Sequence, residues 1–557
     1  MIKILKKNWF WMSFCLILIF NLGVRIYGLD KSPPSVNFDE AALGYNAYSI
    51  MKTGRDEYGN YLPLSLRSFN DYKPALYSYL SIPFVYLLGL NEISTRMVSA
   101  LAGTASLIFL FLFLKEFVTR KKYLLFIFLT MSLQPWRLHF SRTAFESNLS
   151  MFLFSGGAWF LYSYLKIKDY KKMIWSVMFF VSAAYSYHSA RLAAPLILGL
   201  VSIDPIRALY QKIRVKSKIL VALIMFIILS VPIFLANSNL VLTRFKQENI
   251  FNRYYPYTPR ELVTEGNPWL NWKNNPVYYF AALVAGHIMA YVSPINLGSR
   301  VFHFVKGSPQ SIPSFSMLGW LESMILVAGL VVLIKNIKKE KNRFLVYWLV
   351  AGIAPAAVTW NWFHPLRSLN IFPALEVVVG IGMAGLLIWI SKWKSKWLAG
   401  GVRFIWVVVT ILSLIFVINN EYRYAVWENH GEYQPGGFKQ GAGVLKNLQE
   451  DYDQVIIDSP HAQSYIFFLF YQSFPPEIVQ QYASIRPKPG IEGNLNFDFY
   501  KFKFRKFDWP KDKELTRTLF WTSSEVKVDE IKNTPGADVI QFENAVKYIG
   551  ASLIIKQ

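Results

Sequence analysis

Two adjacent carboxylates and a lysine stand out by type and by neighbourhood. Asn37-Phe38-Asp39-Glu40 follows the turn-forming Lys31-Ser32-Pro33-Pro34, and Asp71-Tyr72-Lys73-Pro74 opens an apolar stretch. Carboxylates can take a proton from an attacking hydroxyl, and an ammonium can hold a phosphate. Adjacent acids at a helix start also have an ordinary use, because they satisfy free N–H groups and the dipole there. Pro74 suits a first helical position. Lys73 would then sit at the positive end of the dipole, where an anionic ligand relieves it. Arginines recur in similar places: Arg137 and Arg142 in Trp136-Arg137-Leu138-His139-Phe140-Ser141-Arg142, Arg191 in Tyr185-Ser186-Tyr187-His188-Ser189-Ala190-Arg191, and Arg367 in His364-Pro365-Leu366-Arg367. Each alone reads as an interfacial side chain snorkelling to water. Together with Lys73 on one face they read as a phosphate clamp, since guanidinium forks match phosphate oxygens.

The elements that hold these residues are set by composition. Of 557 residues 53% are hydrophobic, 17% aromatic and only 17% charged, which excludes a disordered, fibrous or ordinary soluble protein. Apolar runs long enough to approach a bilayer span occur at about 9–28, 96–114, 123–137, 145–165, 173–187, 192–204, 219–236, 316–334, 344–360, 370–390 and 402–419. Two more, 74–90 and 277–293, either span or lie in the interface, so 11 to 13 transmembrane helices are expected. The first run continues through Val24-Arg25-Ile26-Tyr27 without a small-residue cleavage site and reads as a retained signal anchor.

Basic clusters punctuate the runs at 115–122, 166–172, 207–218, 335–343 and 392–403. With Lys3, Lys6 and Lys7 they hold 25 of the 59 Lys and Arg, and the positive-inside rule makes them cytoplasmic. This accounts for the net charge of +24 without a nucleic acid. The N-terminus is then cytoplasmic. The segments 29–73, 135–145, 188–191, 237–315, 360–368 and everything after 419 face outward, and 74–90 fits the alternation of sides as a non-crossing helix. The spans themselves read as nearly free of charge, against the charged path expected of a transporter.

Residues 1–419 form a transmembrane unit and 420–557 a small extracytoplasmic α/β domain. The second part carries 18 acidic against 16 basic residues and strand-like runs at Gln454–Asp458 and Tyr548–Ile555. Phe497-Asp-Phe-Tyr-Lys-Phe-Lys-Phe504 reads as a half-buried strand with aromatics on one face. Asp458-Ser459-Pro460-His461 follows a strand without a glycine-rich turn and reads as structural. The lone Cys15 excludes an intrachain disulfide.

The Asp39-Glu40 pair, Asp71-Tyr72-Lys73-Pro74-Ala75-Leu76-Tyr77, Asn91-Glu92-Ile93-Ser94-Thr95-Arg96 and the late Arg367 resemble the GT-C membrane glycosyltransferases over residues 1 to about 390. Among them the chain is most similar to glycosyltransferase family 39, the aminoarabinose-transferase and protein O-mannosyltransferase type. The resemblance implies a polytopic α-helical GT-C fold in the cytoplasmic membrane. It also implies transfer of a sugar, with inversion, from a polyprenyl-phosphate carrier to an acceptor outside that membrane: an envelope glycan, a lipid or a protein. It carries the base role onto Asp39, with Glu40 beside it, and donor-phosphate contact onto Lys73.

The chemistry fits the residues as well. A carboxylate takes the hydroxyl proton as the oxygen attacks the anomeric carbon. A departing phosphate asks for cations, supplied by Lys73, Arg142, Arg191 and Arg367, rather than for a general acid. Relatives often carry an acid directly before this lysine; here Tyr72 holds that position and the nearest acid is Asp71, so the resemblance does not carry a metal role onto Asp71, and a divalent metal is otherwise left open. Glu146 in Arg142-Thr143-Ala144-Phe145-Glu146 approximates the family's arginine-plus-acid pattern. His188 is a further candidate beside its more ordinary reading as a packed interfacial histidine, and His287 and His303 read likewise. Trp136, Trp360 and Trp362 read as aromatic-belt anchors. No nucleotide-binding glycine loop is present in the sequence. The expected partners are a lipid-linked sugar, membrane lipids and an acceptor, with a lipid-linked-glycan transporter or a non-catalytic envelope component as rival readings.

Overall fold

The computed structural model describes residues 2–69, 71–212, 215–236, 276–298, 317–359, 363–428, 437–458, 463–486, 495–522, 531–543 and 549–556. His303, Trp360, Trp362, His461, most of 237–315 and the Asp71 side chain lie outside what it describes.

The first half contains α1 (Ile2–Ile26), α2 (Phe38–Thr53), a hairpin of β1 (Ser65–Ser68) and β2 (Asp71–Pro74), α3 (Leu76–Leu88) and α4 (Glu92–Phe117). There follow α5 (Lys121–Ser132), α6 (Pro135–Arg142), α7 (Glu146–Ile167), α8 (Tyr170–Ala184), α9 (His188–Ile203), α10 (Pro205–Ala208) and α11 (Ser217–Leu235). Then come α12 (Pro276–Val292), α13 (Pro294–Gly298), α14 (Trp320–Lys335), α15 (Glu340–Ala357), α16 (Pro365–Ser368), α17 (Phe372–Ser391) and α18 (Lys396–Glu428).

Among the described residues six helices are long and apolar enough to cross a membrane, and the chain is a multi-pass membrane protein of predominantly helical fold. The other expected spans form helices that are shorter or more polar. Pro135 divides the run 123–137 into α5 and α6, because its ring cannot continue the ladder of the preceding helix. Helix α3 has 13 residues, about 20 Å at 1.5 Å per residue, too short to cross a hydrocarbon core of about 30 Å. Helices α14 and α17 meet nearly backbone to backbone: a Cβ on Gly329 would lie 2.0 Å from the Val378 carbonyl oxygen. Such close approach supplies packing where lipid gives no hydrophobic drive.

The interior is not free of charge. Arg137 in α6 donates to both carboxylate oxygens of Glu376 in α17 (2.5–2.9 Å) and to Ser106 Oγ (2.7 Å), and both ionic side chains are buried. Arg25 is fully buried at the end of α1, donating to Asn21 Oδ1 (2.6 Å) and the Ser132 carbonyl (2.9 Å). Trp136, expected in the aromatic belt, is buried against Phe372.

Helix α18 runs on past 419 to Glu428, through the change of composition. Beyond it lie α19 (Gly437–Leu448), β3 (Gln454–Asp458), α20 (Tyr465–Tyr471), α21 (Pro476–Gln480), β4 (Phe502–Phe504), α22 (Trp509–Asp512), β5 (Thr518–Thr522), β6 (Ala537–Glu543) and β7 (Ile549–Lys556). The sheet order is β4-β3-β5-β7-β6, with β3 parallel to β4 and β5, and β7 antiparallel to β5 and β6. Strand alternation sends Val455, Ile457, Leu519, Trp521 and Leu553 to one face and Ile456, Phe520 and Ile554 to the other, and both faces are covered. The first face packs on α19, α20 and, continuously, on Ala41, Ala42 and Tyr45 of α2.

The aromatic segment 497–504 is not one strand. Phe499 and Phe502 exchange backbone hydrogen bonds (2.8 and 3.1 Å) across a turn with Tyr500 at φ 50°, so β4 covers only its end. The turn falls where the sequence breaks parity, aromatics at 497 and 499 giving way to 502 and 504.

Candidate active site

Helix α2 begins with a capping box. Asn37 Oδ1 accepts from the Glu40 N–H (2.9 Å) and Glu40 Oε2 accepts from the Asn37 N–H (3.1 Å). The two carboxylates therefore diverge. Glu40 turns inward, fully buried, onto the Arg96 guanidinium of α4. Asp39 turns toward the hairpin and keeps 32% of its side chain exposed, enough for solvent or a ligand to reach it.

There it meets Lys73. The lysine lies on β2, paired with Leu66 across the hairpin, and Pro74 is still strand; α3 starts only at Leu76. The expectation that Lys73 sits at a helix start on Pro74 is thus corrected: the β1–β2 pairing holds both residues in the ladder. Lys73 Nζ donates to Asp39 Oδ1, and Glu146, the first residue of α7, stands 4.0 Å away. Burial alone would push the Lys73 ammonium down, but Asp39 and Glu146 more than reverse this, and the net shift is upward from 10.5.

The hairpin is tied to α9 by His188, the first residue of that helix, whose Nε2 donates to the Tyr72 carbonyl (2.9 Å). Tyr72 meets His188 through its backbone carbonyl. One turn on, Arg191 donates through Nε to the Ala184 carbonyl (3.2 Å) and faces the Phe234 ring at 5.7 Å. Its Nη1 is buried without a hydrogen-bond partner among the described residues. Arg367, on α16, has its backbone N–H on His364 Nδ1 (3.4 Å). His188 lies in the electrostatic field of Arg191, Lys73 and Arg367 together.

The structure thus brings together Asp39, Lys73 and Glu146, drawn from α2, β2 and α7, with His188 of α9 tied to the same hairpin; Arg191 and Arg367 act electrostatically on His188. It does not bring Arg142 or Arg137 to them. Arg142 donates to the carbonyls of Val24, Arg25, Tyr27, Gly28 and Ser32 at 2.8–3.1 Å, capping the end of α1. A helix C-terminus presents unpaired carbonyls that attract such a cation. Arg137 is spent on Glu376. His287 is buried in α12. Among the described residues no group of three or more His, Cys, Asp or Glu could hold a metal ion.

Sequence reasoning missed Arg96 as an individual residue, although an arginine near the start of an otherwise apolar helix asks for a buried acid. It also missed the buried pair of Glu57 and Arg486 (3.0 Å), which joins the loop after α2 to the C-terminal domain with Arg486 stacked between Tyr58 and Phe497.

No protein-family model and no curated protein matches the chain. Solved structures do. The chain superposes on ArnT from Cupriavidus metallidurans, solved bound to undecaprenyl phosphate, with TM-score 0.55 and 12% identity over 97% of both chains. The apo structure of that protein gives the same TM-score at 11% identity. The archaeal oligosaccharyltransferase AglB from Archaeoglobus fulgidus, in complex with an inhibitory peptide and a dolichol-phosphate, matches with TM-score 0.53 and 11% identity over 84% of this chain. The chain spans 64% of the length of that protein. The fold is the one these two proteins share, as the GT-C resemblance of the sequence implies.

Proposed function

We propose that the protein is an inverting glycosyltransferase that moves a sugar from a polyprenyl-phosphate carrier to an acceptor hydroxyl on the outer face of the cytoplasmic membrane. The observation that carries this reading is the meeting of Lys73 with both Asp39 and Glu146. Support also comes from the shared fold, since ArnT was solved with undecaprenyl phosphate and AglB with a dolichol-phosphate.

In this reading the acceptor oxygen attacks the anomeric carbon as Asp39 takes its proton. A new C–O bond forms, the bond from that carbon to the phosphate oxygen breaks, and the electron pair leaves with the polyprenyl phosphate. Lys73, Arg191 and Arg367 stabilise the charge growing on the phosphate. Lys73 links the two events. As the phosphate draws its ammonium away, Asp39 is freed to accept a proton. Glu146 keeps the lysine charged and aimed. The lipid tail stays in hydrocarbon while the sugar meets the exposed edge of Asp39. The test is release of polyprenyl phosphate by the purified protein in lipid nanodiscs from a panel of polyprenyl-phosphate sugars, with envelope extract as acceptor. One donor is expected to turn over; none turning over across a complete panel contradicts the reading.

A further inference from the structure

We propose that Arg96 is the positioning residue of this site, setting the separation of the Asp39 and Glu146 carboxylates around Lys73 through Glu40. The inference rests on the reading of Asp39 as the base. It starts from donor arithmetic. A guanidinium has five N–H donors, and here each has an acceptor: Nε gives to Glu40 Oε1 (2.8 Å), Nη1 to the carbonyls of Leu29 (2.6 Å) and Pro33 (2.8 Å), and Nη2 to Glu40 Oε2 (2.9 Å) and the Ser35 carbonyl (2.7 Å). Three of these acceptors belong to the segment that leads from α1 into α2.

Glu40 is equally engaged. Beyond Arg96 it accepts from the Asn37 N–H (3.1 Å) and, through Oε1, from the Ala144 N–H (2.7 Å). Asn37 precedes Asp39 by two residues, and Ala144 precedes Glu146 by two. One buried ion pair thus fixes the backbone from which each of the two site carboxylates projects. Both members are fully buried, so the pair acts on substrate only through those neighbours. Helix α2 is held against sliding by a second contact beside it: Thr95 of α4 faces Gly44, where a Cβ would lie 2.5 Å from the threonine Oγ1.

A purely stabilising contact would be poorly served by this arrangement. Burying two charges costs much of what their attraction returns, and apolar replacements are often as stable. What a saturated ion pair supplies is a fixed geometry, and displacing a reacting group by about 1 Å costs roughly 100-fold in rate.

The experiment compares wild type, Arg96→Lys, Glu40→Gln and Asp39→Asn as full-length proteins in nanodiscs. It follows kcat, KM for the polyprenyl-phosphate sugar, the pH profile of kcat and thermal unfolding. Lysine keeps the charge but offers three donors in place of five. For Arg96→Lys the expected result is a kcat lower by about 100-fold, KM within about 3-fold of wild type, and a displaced pH profile because the carboxylates no longer stand at the same distance from Lys73. Glu40→Gln, of the same shape, is expected to reproduce the pattern. A folded Arg96→Lys or Glu40→Gln with wild-type kcat and pH profile overturns the inference. So does failure of both to fold, which makes the pair a folding element only. Undiminished turnover by Asp39→Asn overturns the underlying reading instead, whereas an inactive Asp39→Asn beside an unimpaired Arg96→Lys overturns this inference alone.

Discussion

The Lys73 ammonium on β2 reaches the Asp39 carboxylate at the start of α2, with the Glu146 carboxylate 4.0 Å from the same nitrogen. Two carboxylates around one ammonium leave a site that favours further positive charge, which in the proposed mechanism Arg191 and Arg367 supply. Replacing Lys73 by Met would leave two carboxylates facing each other and the phosphate one cation short. Lys73→Met is expected to lower turnover at least about 100-fold and to weaken donor binding about 10-fold, with partial recovery in Lys73→Arg.

The same contact has a pH signature. The Lys73 pKa is raised in the folded protein above its ordinary 10.5, so its charge and the stability it contributes are fully present below that value and are lost only as pH rises through the folded value. Donor binding measured from pH 6 to 9 is expected to show no step that disappears in Lys73→Arg. A step near pH 8 removed by that substitution would contradict the assignment.

Arg191 carries a buried Nη1 with no hydrogen-bond partner among the described residues, beside a ring of α11. Charge-assisted hydrogen bonds are worth about 1.5–3 kcal/mol. Arg191→Gln is therefore expected to weaken donor binding by about 10- to 100-fold. Titration with the polyprenyl phosphate product alone checks this, and unchanged affinity would remove Arg191 from the phosphate site.

The C-terminal domain is tied to the loop after α2 through Glu57 and Arg486. Removing one partner of a buried pair leaves an uncompensated charge and costs about 3–5 kcal/mol. Arg486→Ala is expected to expose the loop after α2 to proteolysis, while Glu57→Ala with Arg486→Ala is less damaged than the two losses added. Strict additivity of the two in a double-mutant cycle would show that the pair is not coupled.

Gly44 lies between Thr95 of α4 and Phe470 of α20, with ideal Cβ distances of 2.5 and 2.7 Å. Gly44→Ala is expected to destabilise the protein by about 1–3 kcal/mol through overpacking and to slow turnover without altering any polar side chain. Unfolding and kcat measured together check both effects.

The candidacy of Asp39, Lys73 and Glu146 was legible because ionisable residues beside a membrane are costly and few, and the structure brings these three together. The strand Gln454–Asp458 was legible for a similar reason, a short branched-apolar run between polar breaks. What the sequence hid are partnerships across long separations. Arg137 and Glu376 lie 239 residues apart and Glu57 and Arg486 lie 429 apart, and no local pattern marks either pair. Arg142 shows the same limit from the other side: next to a membrane a guanidinium that caps a helix end and one that awaits a phosphate have the same neighbours in sequence. The β1–β2 hairpin escaped because Pro74 before an apolar run is also a sound helix start.

The most direct test of the account is Asp39→Asn. The change keeps the size of the side chain and removes its capacity to take a proton. Wild type and variant are compared in nanodiscs for binding of the polyprenyl-phosphate sugar that the panel identifies and for its transfer to acceptor. The account predicts binding within about 3-fold of wild type and turnover reduced by about 100- to 10,000-fold, the span of general base catalysis. Equal turnover by the two proteins would contradict it.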